Sequence, residues 1–292
     1  MKAIQKKTGY FKSFDGTKLY YEVRGEGKPL VLAYGIGCLI NHWLPQLKHF
    51  SQNYQTIVFD YRGHHQSELP QDWSQLTIDA LARDCHALVE HLGISSASFW
   101  GHSFGTQVLL RSYDMAPQYF DNLVFINGFA TNPIAGMFGN DAATQAFRYI
   151  KSGFDFAPET FSYLWEKAIN NPLTVQMTAL MGGFNINLTQ LKDIEIYARG
   201  VSLMNLGAFL KLFENMMAYD GRSVFDRIIC PTLIIGGKKD SVTPQKHQED
   251  MHLKIKTSQF MMVPYGSHCT HLDMPDFVNL RIDKFLETTL YK

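Results

Sequence analysis

Short, nearly unbroken apolar runs recur along the chain at residues 29–34, 55–60, 97–100, 123–127, 232–235 and 260–263, each ending in a polar or glycine-containing loop. Strands that are apolar on both faces belong in a parallel sheet covered by helices. Two earlier segments, 9–14 and 19–24, flank Asp15-Gly16, a strong turn dipeptide, and predict a hairpin. Helical spacing falls between the runs. Over 77–92, Ile78, Leu81, Ala82, Cys85, Leu88, Val89 and Leu92 repeat every three or four residues, and Gly93 suits the stop. A second helix is predicted from Phe104 towards Met115, before Pro117, and a late one over 275–288 with Phe277, Ile282, Phe285 and Leu286 for its buried face. Alternating strands and helices predict an α/β domain with a doubly wound, mostly parallel sheet.

One region breaks the alternation. Residues 133–223 are patterned mostly as helix, interrupted at Asn170-Asn171-Pro172 and Gly182-Gly183. They carry Met137, Met177, Met181, Met204, Met216 and Met217, half of the twelve methionines, with Phe138, Phe147, Phe154, Phe156, Phe161, Phe184, Phe209 and Phe213. So small an insert cannot bury all of these alone. It is expected to pack as a helical lid, inserted after the sixth strand, on a core made of 1–132 and 224–292. Part of the Met/Phe set then forms an ordinary helical core, and the rest lines an apolar cleft.

Composition narrows the function. With 27 basic and 27 acidic residues and no basic run, the chain lacks the positive surface that nucleic acid requires. The longest suggestive apolar stretch, 29–40, is too short for a bilayer and contains Gly35 and Gly37. The basic start has no apolar segment behind it, so no secretory signal is expected. Cys38, Cys85, Cys230 and Cys269 lie far apart without a CxxC pair, which favours a reducing, cytoplasmic setting.

The sharpest chemical signal is Gly101-His102-Ser103-Phe104-Gly105, between the run 97–100 and the helix predicted from Phe104. A serine on a strained strand–turn–helix junction, with glycines two positions to either side, is raised above the carboxyl ends of the strands. There it faces a helix N-terminus that favours developing negative charge. Its hydroxyl needs a base. Of eleven histidines, His86, His91, His247 and His252 lie in helices, where local or solvated roles suit them, whereas His268 follows the last strand and Pro264-Tyr265-Gly266. His271, three residues on, is the competitor and is expected to pack beside the site. Asp240, just beyond the strand 232–235, is the candidate carboxylate to hold that base; Asp273 is the alternative, and reads as a cap of the last helix. An oxyanion needs two backbone donors, expected from Phe104 and from Ile36 in the loop Tyr34-Gly35-Ile36-Gly37.

On these motifs the chain resembles the α/β-hydrolase family, in its lid-bearing, esterase-like branch, over almost its whole length. Segment 30–37 is similar to the strand and oxyanion loop, and Asp60-Tyr61-Arg62-Gly63-His64-His65-Gln66-Ser67 to the D-x-R-G-x-G-x-S segment; 231–240 and 266–275 resemble the acid-bearing strand end and the histidine loop. Tyr34 stands where relatives usually have histidine, His65 where they have glycine, and Thr106 where a further glycine often follows the elbow. The resemblance implies acyl transfer by Ser103, Asp240 and His268 on a small-molecule ester or acyl substrate, with no metal or organic cofactor. Serine at the elbow argues against the epoxide hydrolase and haloalkane dehalogenase branches, which use aspartate. The histidines show no metal-ligand spacing. A carboxylester with an apolar small-to-medium acyl group is the expected substrate. The alternatives are a thioester or lipid-acyl substrate, carbon–carbon cleavage, and a slow-turnover ligand sensor. Lys238 and Lys239, beside the acid, suit either an anionic group or a solvated turn.

Overall fold

The computed structural model describes residues 5–135, 142–169 and 183–290. Met137, Phe138, Met177, Met181, Asn170-Asn171-Pro172 and Gly182 lie outside the described residues.

Eight strands form one sheet: β1 (Lys6–Lys12), β2 (Lys18–Arg24), β3 (Pro29–Ala33), β4 (Gln55–Phe59), β5 (Ala97–His102), β6 (Phe120–Ile126), β7 (Thr232–Gly237) and β8 (Ser258–Val263). Their order is β1-β2-β4-β3-β5-β6-β7-β8. The hairpin β1–β2 turns at Gly16, β2 is antiparallel to β4, and every other pairing is parallel. β1 begins at Lys6, earlier than the hydrophobic pattern predicts. As an edge strand it pairs only with β2 and buries only Phe11, so backbone pairing rather than side-chain patterning extends it. The inner strands are buried along most of their length, β5 and β7 at every position, while Asp121 in β6 is exposed.

The helices are α1 (Leu44–Phe50), α2 (Ile78–His91), α3 (Phe104–Met115), α4 (Ala142–Phe156), α5 (Pro158–Ile169), α6 (Leu191–Leu203), α7 (Leu206–Ala218), α8 (Lys246–Lys254), α9 (Thr270–Asp273) and α10 (Pro275–Thr289). α2 stops where its sequence predicts, with Gly93 beyond its end at φ +67°, and at its start Thr77 Oγ1 accepts from the Ala80 amide. α2 packs on α3 and α1 on α10, the pairing of helices that cover a doubly wound sheet. α10 corrects one expectation. Its buried stripe is Val278, Ile282, Phe285 and Leu286, with Asn279 beside it, whereas Phe277 is 46% exposed; one residue of helix turns it about 100° off the stripe.

α4 to α7 fall between β6 and β7 and make the lid. Phe147 stacks on Phe213, Phe209 meets both Phe213 and Trp165, and Phe184 meets Tyr197, so much of the aromatic set packs internally. Phe156 is instead 92% exposed. α6 reaches the sheet domain at Gly200, where a Cβ would lie 2.5 Å from the Gly37 carbonyl oxygen. Among the described residues no helix is long and apolar enough to cross a membrane.

Candidate active site

The carboxyl ends of β5 to β8 deliver the site. β5 ends at His102, and Ser103 follows with φ 53° and ψ −121°, a backbone conformation that costs a side-chain-bearing residue energy. Packing enforces it. α3 lies so close to β3 that a Cβ on Gly105 would come within 2.2 Å of the Ala33 carbonyl oxygen. The Ser103 amide donates to Ile126 O (3.1 Å) and the Asn127 amide to Ile235 O (2.8 Å), extending the ladder past the strand ends into the site.

The structure brings Ser103, His268 and Asp240 together. Ser103 Oγ lies 2.8 Å from His268 Nε2, and His268 Nδ1 lies 3.0 Å from Asp240 Oδ2. All three are buried. Asp240 sits in the turn after β7, where the amides of Val242 (2.9 Å) and Thr243 (2.8 Å) donate to Oδ1 and the Thr243 hydroxyl donates to Oδ2 (2.6 Å). Burial by itself would raise this carboxyl, but the neighbouring His268 and the donated hydrogen bonds outweigh it and hold Asp240 below the usual carboxylate range. An ionised carboxylate on Nδ1 leaves the Nε2 lone pair facing the serine hydroxyl.

Several supporting residues escape the sequence reading. Asn127, just beyond β6, has φ 48°, and its side-chain amide donates to Asp240 Oδ2 (2.8 Å) and to Ser267 O (3.0 Å). It therefore joins the acid to the histidine loop. Asp273, read as a helix cap, does something else: the N-cap of α10 is Met274, and the Asp273 carboxylate accepts from the Ser267 amide (2.6 Å), the Ser267 hydroxyl (2.7 Å) and the Thr189 hydroxyl. Gly183 accepts from the His268 amide (2.7 Å), and Asn185 donates to Tyr265 O (2.8 Å). The stretch 183–189 that leads back into α6 is thus stitched to the loop carrying His268. An asparagine directly after an apolar run is the one available signal, and one sequence does not separate it from an ordinary turn residue.

The model of the α/β-hydrolase fold family matches residues 28–275, most of the chain. The chain is an α/β-hydrolase. It is similar to the candidate carbamate hydrolase RutD of Stutzerimonas stutzeri, 27% identical over 277 residues that cover 92% of this chain and 97% of that protein. Mouse epoxide hydrolase 4 is 25% identical over 294 residues, covering 93% and 77%. The solved structure of an esterase from Thermogutta terrifontis shares the fold with a TM-score of 0.76 at 20% identity, covering 97% and 99%.

This α/β-hydrolase accommodates its departures from the family pattern by specific contacts. The Tyr34 hydroxyl donates to Asp60 Oδ1 (2.9 Å), and the Tyr61 hydroxyl donates to Tyr34 O (2.9 Å), tying the loop after β3 to the segment after β4. His65 takes positive φ (45°), a conformation glycine adopts readily, and its Nε2 lies 2.8 Å from Cys38 O. Thr106 packs on Gly128, where a Cβ would come within 2.4 Å of its hydroxyl oxygen. In the loop after β3, the Gly37 amide donates to His64 Nε2 (3.2 Å) and the Cys38 amide to Gly35 O (3.0 Å). The amides of Ile36 and Phe104 donate to no acceptor among the described residues.

Ser103 and His268 open onto a cavity of about 220 Å³, walled on its apolar side by Ile36, Phe129, Ile134, Phe213, Met216 and Val242. Among the described residues no acidic or basic side chain other than histidine lines it. Of the lid methionines and phenylalanines among the described residues, only Met216 and Phe213 reach the cavity. Lys238 and Lys239 are exposed and not part of it. Three more histidine rings adjoin it, with His102 in its wall. His42 and His102 are 4.9 Å apart, and His102 and His271 are 4.5 Å apart. Burial, then the nearby His268, pushes His42 down to about 3; burial and the neighbouring histidines likewise hold His102 and His271 well below the usual imidazole range. His271 therefore packs as a neutral ring under the site, and the ring at hydrogen-bond distance from Ser103 is that of His268.

Proposed function

We propose that this α/β-hydrolase cleaves a small, uncharged carboxylic ester through an acyl-enzyme on Ser103. The observation that carries the reading is the serine hydroxyl 2.8 Å from an imidazole nitrogen whose ring partner is a buried carboxylate. Ser103 attacks the carbonyl carbon while His268 takes its proton; Asp240 holds the ring and offsets its charge. The carbonyl oxygen gains negative charge, which the free amides of Ile36 and Phe104 receive. His268 then protonates the leaving alkoxide and later deprotonates the water that releases the acid.

The cavity supports the substrate class. About 220 Å³ is below the roughly 300–1,000 Å³ of usual ligand pockets, which favours a short acyl group. Among the described residues the lining offers no lysine or arginine for a carboxylate or enolate, which favours an uncharged ester over carbon–carbon cleavage of an acidic substrate or a phosphorylated thioester headgroup. Epoxide opening in this family runs through an elbow aspartate, a position Ser103 fills. Similarity to RutD over nearly the whole of both chains favours a carbamate as the second reading. In this account 133–223 is the lid over core segments 1–132 and 224–292. Four buried, unbridged cysteines suit a reducing compartment such as the cytoplasm.

A panel of p-nitrophenyl esters of increasing acyl length, with a thioester and a carbamate, run on wild type and Ser103→Ala, tests the reading. Turnover is expected to peak at short acyl chains and to fall at least about 10³-fold in Ser103→Ala. Equal rates in the two proteins would overturn the nucleophile, and a preference for the carbamate would move the substrate.

A further inference from the structure

The tertiary fold gathers ligands that the sequence keeps apart. Among the described residues, Cys38, His42 and His102 each present one donor atom, sulfur or ring nitrogen, all within 4.8 Å of one another. Cys38 lies on the oxyanion loop, His42 on the 3-10 turn Ile40–Trp43, and His102 at the end of β5. All three are buried, yet Cys38 and His102 line the substrate cavity, which supplies an entry path.

The two cavity-lining donors converge on one spot. A Cβ built on Gly35 would lie 3.2 Å from His102 Nδ1 and 3.3 Å from Cys38 Sγ, so the space between them is what a side chain at position 35 would fill. His102 is preset as a ligand. Its Nε2 donates to His268 O (2.9 Å), which leaves the lone pair on Nδ1, and that buried nitrogen has no hydrogen-bond partner among the described residues. Metal-binding histidines are commonly oriented in this way, the second ring nitrogen donating to a backbone carbonyl. His42 Nε2 contacts Cys269 Sγ at 3.7 Å.

We propose that Cys38, His42 and His102 form a binding site for a thiophilic transition-metal cation, Zn²⁺ being the type case, that opens onto the cavity beside Ser103. One thiolate and two neutral imidazoles match the preference of such ions for sulfur and nitrogen donors and leave a fourth position for water or a substrate atom. Binding releases the Cys38 thiol proton to solvent as the metal–sulfur bond forms, with no change of oxidation state. Because one proton leaves, apparent affinity rises with pH by about tenfold per unit. A cation held there occupies space between the oxyanion loop and His102, whose own hydrogen bond runs to the backbone of His268, so ester turnover falls as the site fills.

Titration of the chelator-stripped full chain with Co²⁺, followed in the near ultraviolet, tests the site without any turnover. Wild type is expected to give a thiolate-to-cobalt charge-transfer band that saturates at one equivalent and is displaced by Zn²⁺. Cys38→Ser loses the band, His42→Gln weakens binding at least about tenfold, and Cys85→Ser, which alters a core thiol of α2, keeps the band. His42→Gln retains Cys38, so the site is still tested if Cys38→Ser does not fold. No band in folded wild type, or a band that survives Cys38→Ser, would overturn the proposal. A Zn²⁺ titration of p-nitrophenyl ester hydrolysis should show inhibition that chelator reverses. The cobalt spectrum does not depend on the ester reading, so failure of one is distinguishable from failure of the other.

Discussion

Asn127 carries more of the site than its size implies. It sits in positive φ and gives both of its amide hydrogens to the groups that frame His268, Asp240 Oδ2 on one side and Ser267 O on the other. Asn127→Ala removes both donors and keeps the backbone strain, whereas Asn127→Gly removes the donors and relieves the strain. Leaving a buried carboxylate and carbonyl without these donors costs about 1–3 kcal/mol. On the proposed mechanism, a histidine whose support loosens misplaces the proton acceptor, and kcat is expected to fall about ten- to a hundredfold. Both variants are expected to lose activity, and the glycine variant to lose less stability, in steady-state ester kinetics and urea unfolding. Wild-type kcat in both would show that Thr243 and the two backbone amides suffice to hold Asp240.

Among the elements, the lid and the histidine loop behave as one piece. Gly183, Asn185 and Thr189 each bond to the loop or to the residue that clamps it. Gly183 has φ +75°, and a Cβ there would lie 2.5 Å from His268 Cβ and 2.7 Å from Val242 Cγ2. Gly183→Ala is therefore expected to shift His268 and lower kcat by about a hundredfold. Gly16→Ala is the matched control: it adopts φ +84° with nothing within 4 Å. It bears the backbone penalty alone, about 1–2 kcal/mol, with kcat unchanged. Comparable kcat in Gly183→Ala and wild type would show that lid and loop move independently.

For the molecule as a whole, the buried neutral histidines set an acid limit. His42 and His64 are pushed down to about 3 mainly by burial, and His102 and His271 lie well below their usual range. In the unfolded chain each takes up a proton as pH falls through about 6.5, while the folded chain does not. Stability is therefore full above that pH and declines below it, by about 1.4 kcal/mol per pH unit for each such histidine. Asp60 opposes them: burial raises its carboxyl to about 6, so the folded state takes up a proton there and offsets one histidine below that pH. Urea unfolding is expected to give a lower free energy at pH 5.5 than at pH 7. His64→Gln, whose amide oxygen can still accept from Gly37, should make that dependence shallower by one histidine's share. An unchanged slope would mean that His64 is protonated in the folded chain.

What the sequence determined by itself is what depends on near neighbours. The elbow is legible because a tight strand-to-helix turn needs its glycines within two residues of Ser103, and the strands because both of their faces are apolar. Asp240 and His268 were legible as candidates because each stands in a loop five residues beyond the end of an apolar run. The tertiary structure decided what depends on residues remote in the chain. Asp273 read as a cap until the fold placed Ser267 and Thr189 against its carboxylate, and the pattern could not show that Phe277 turns to solvent. Asn127 meets Asp240, Gly183 meets His268, and Cys38 and His42 meet His102 only because parallel strands end side by side. Hydrophobic periodicity sets which face of an element is buried, but strand order and lid packing set which polar side chains share a cavity, and with it the substrate.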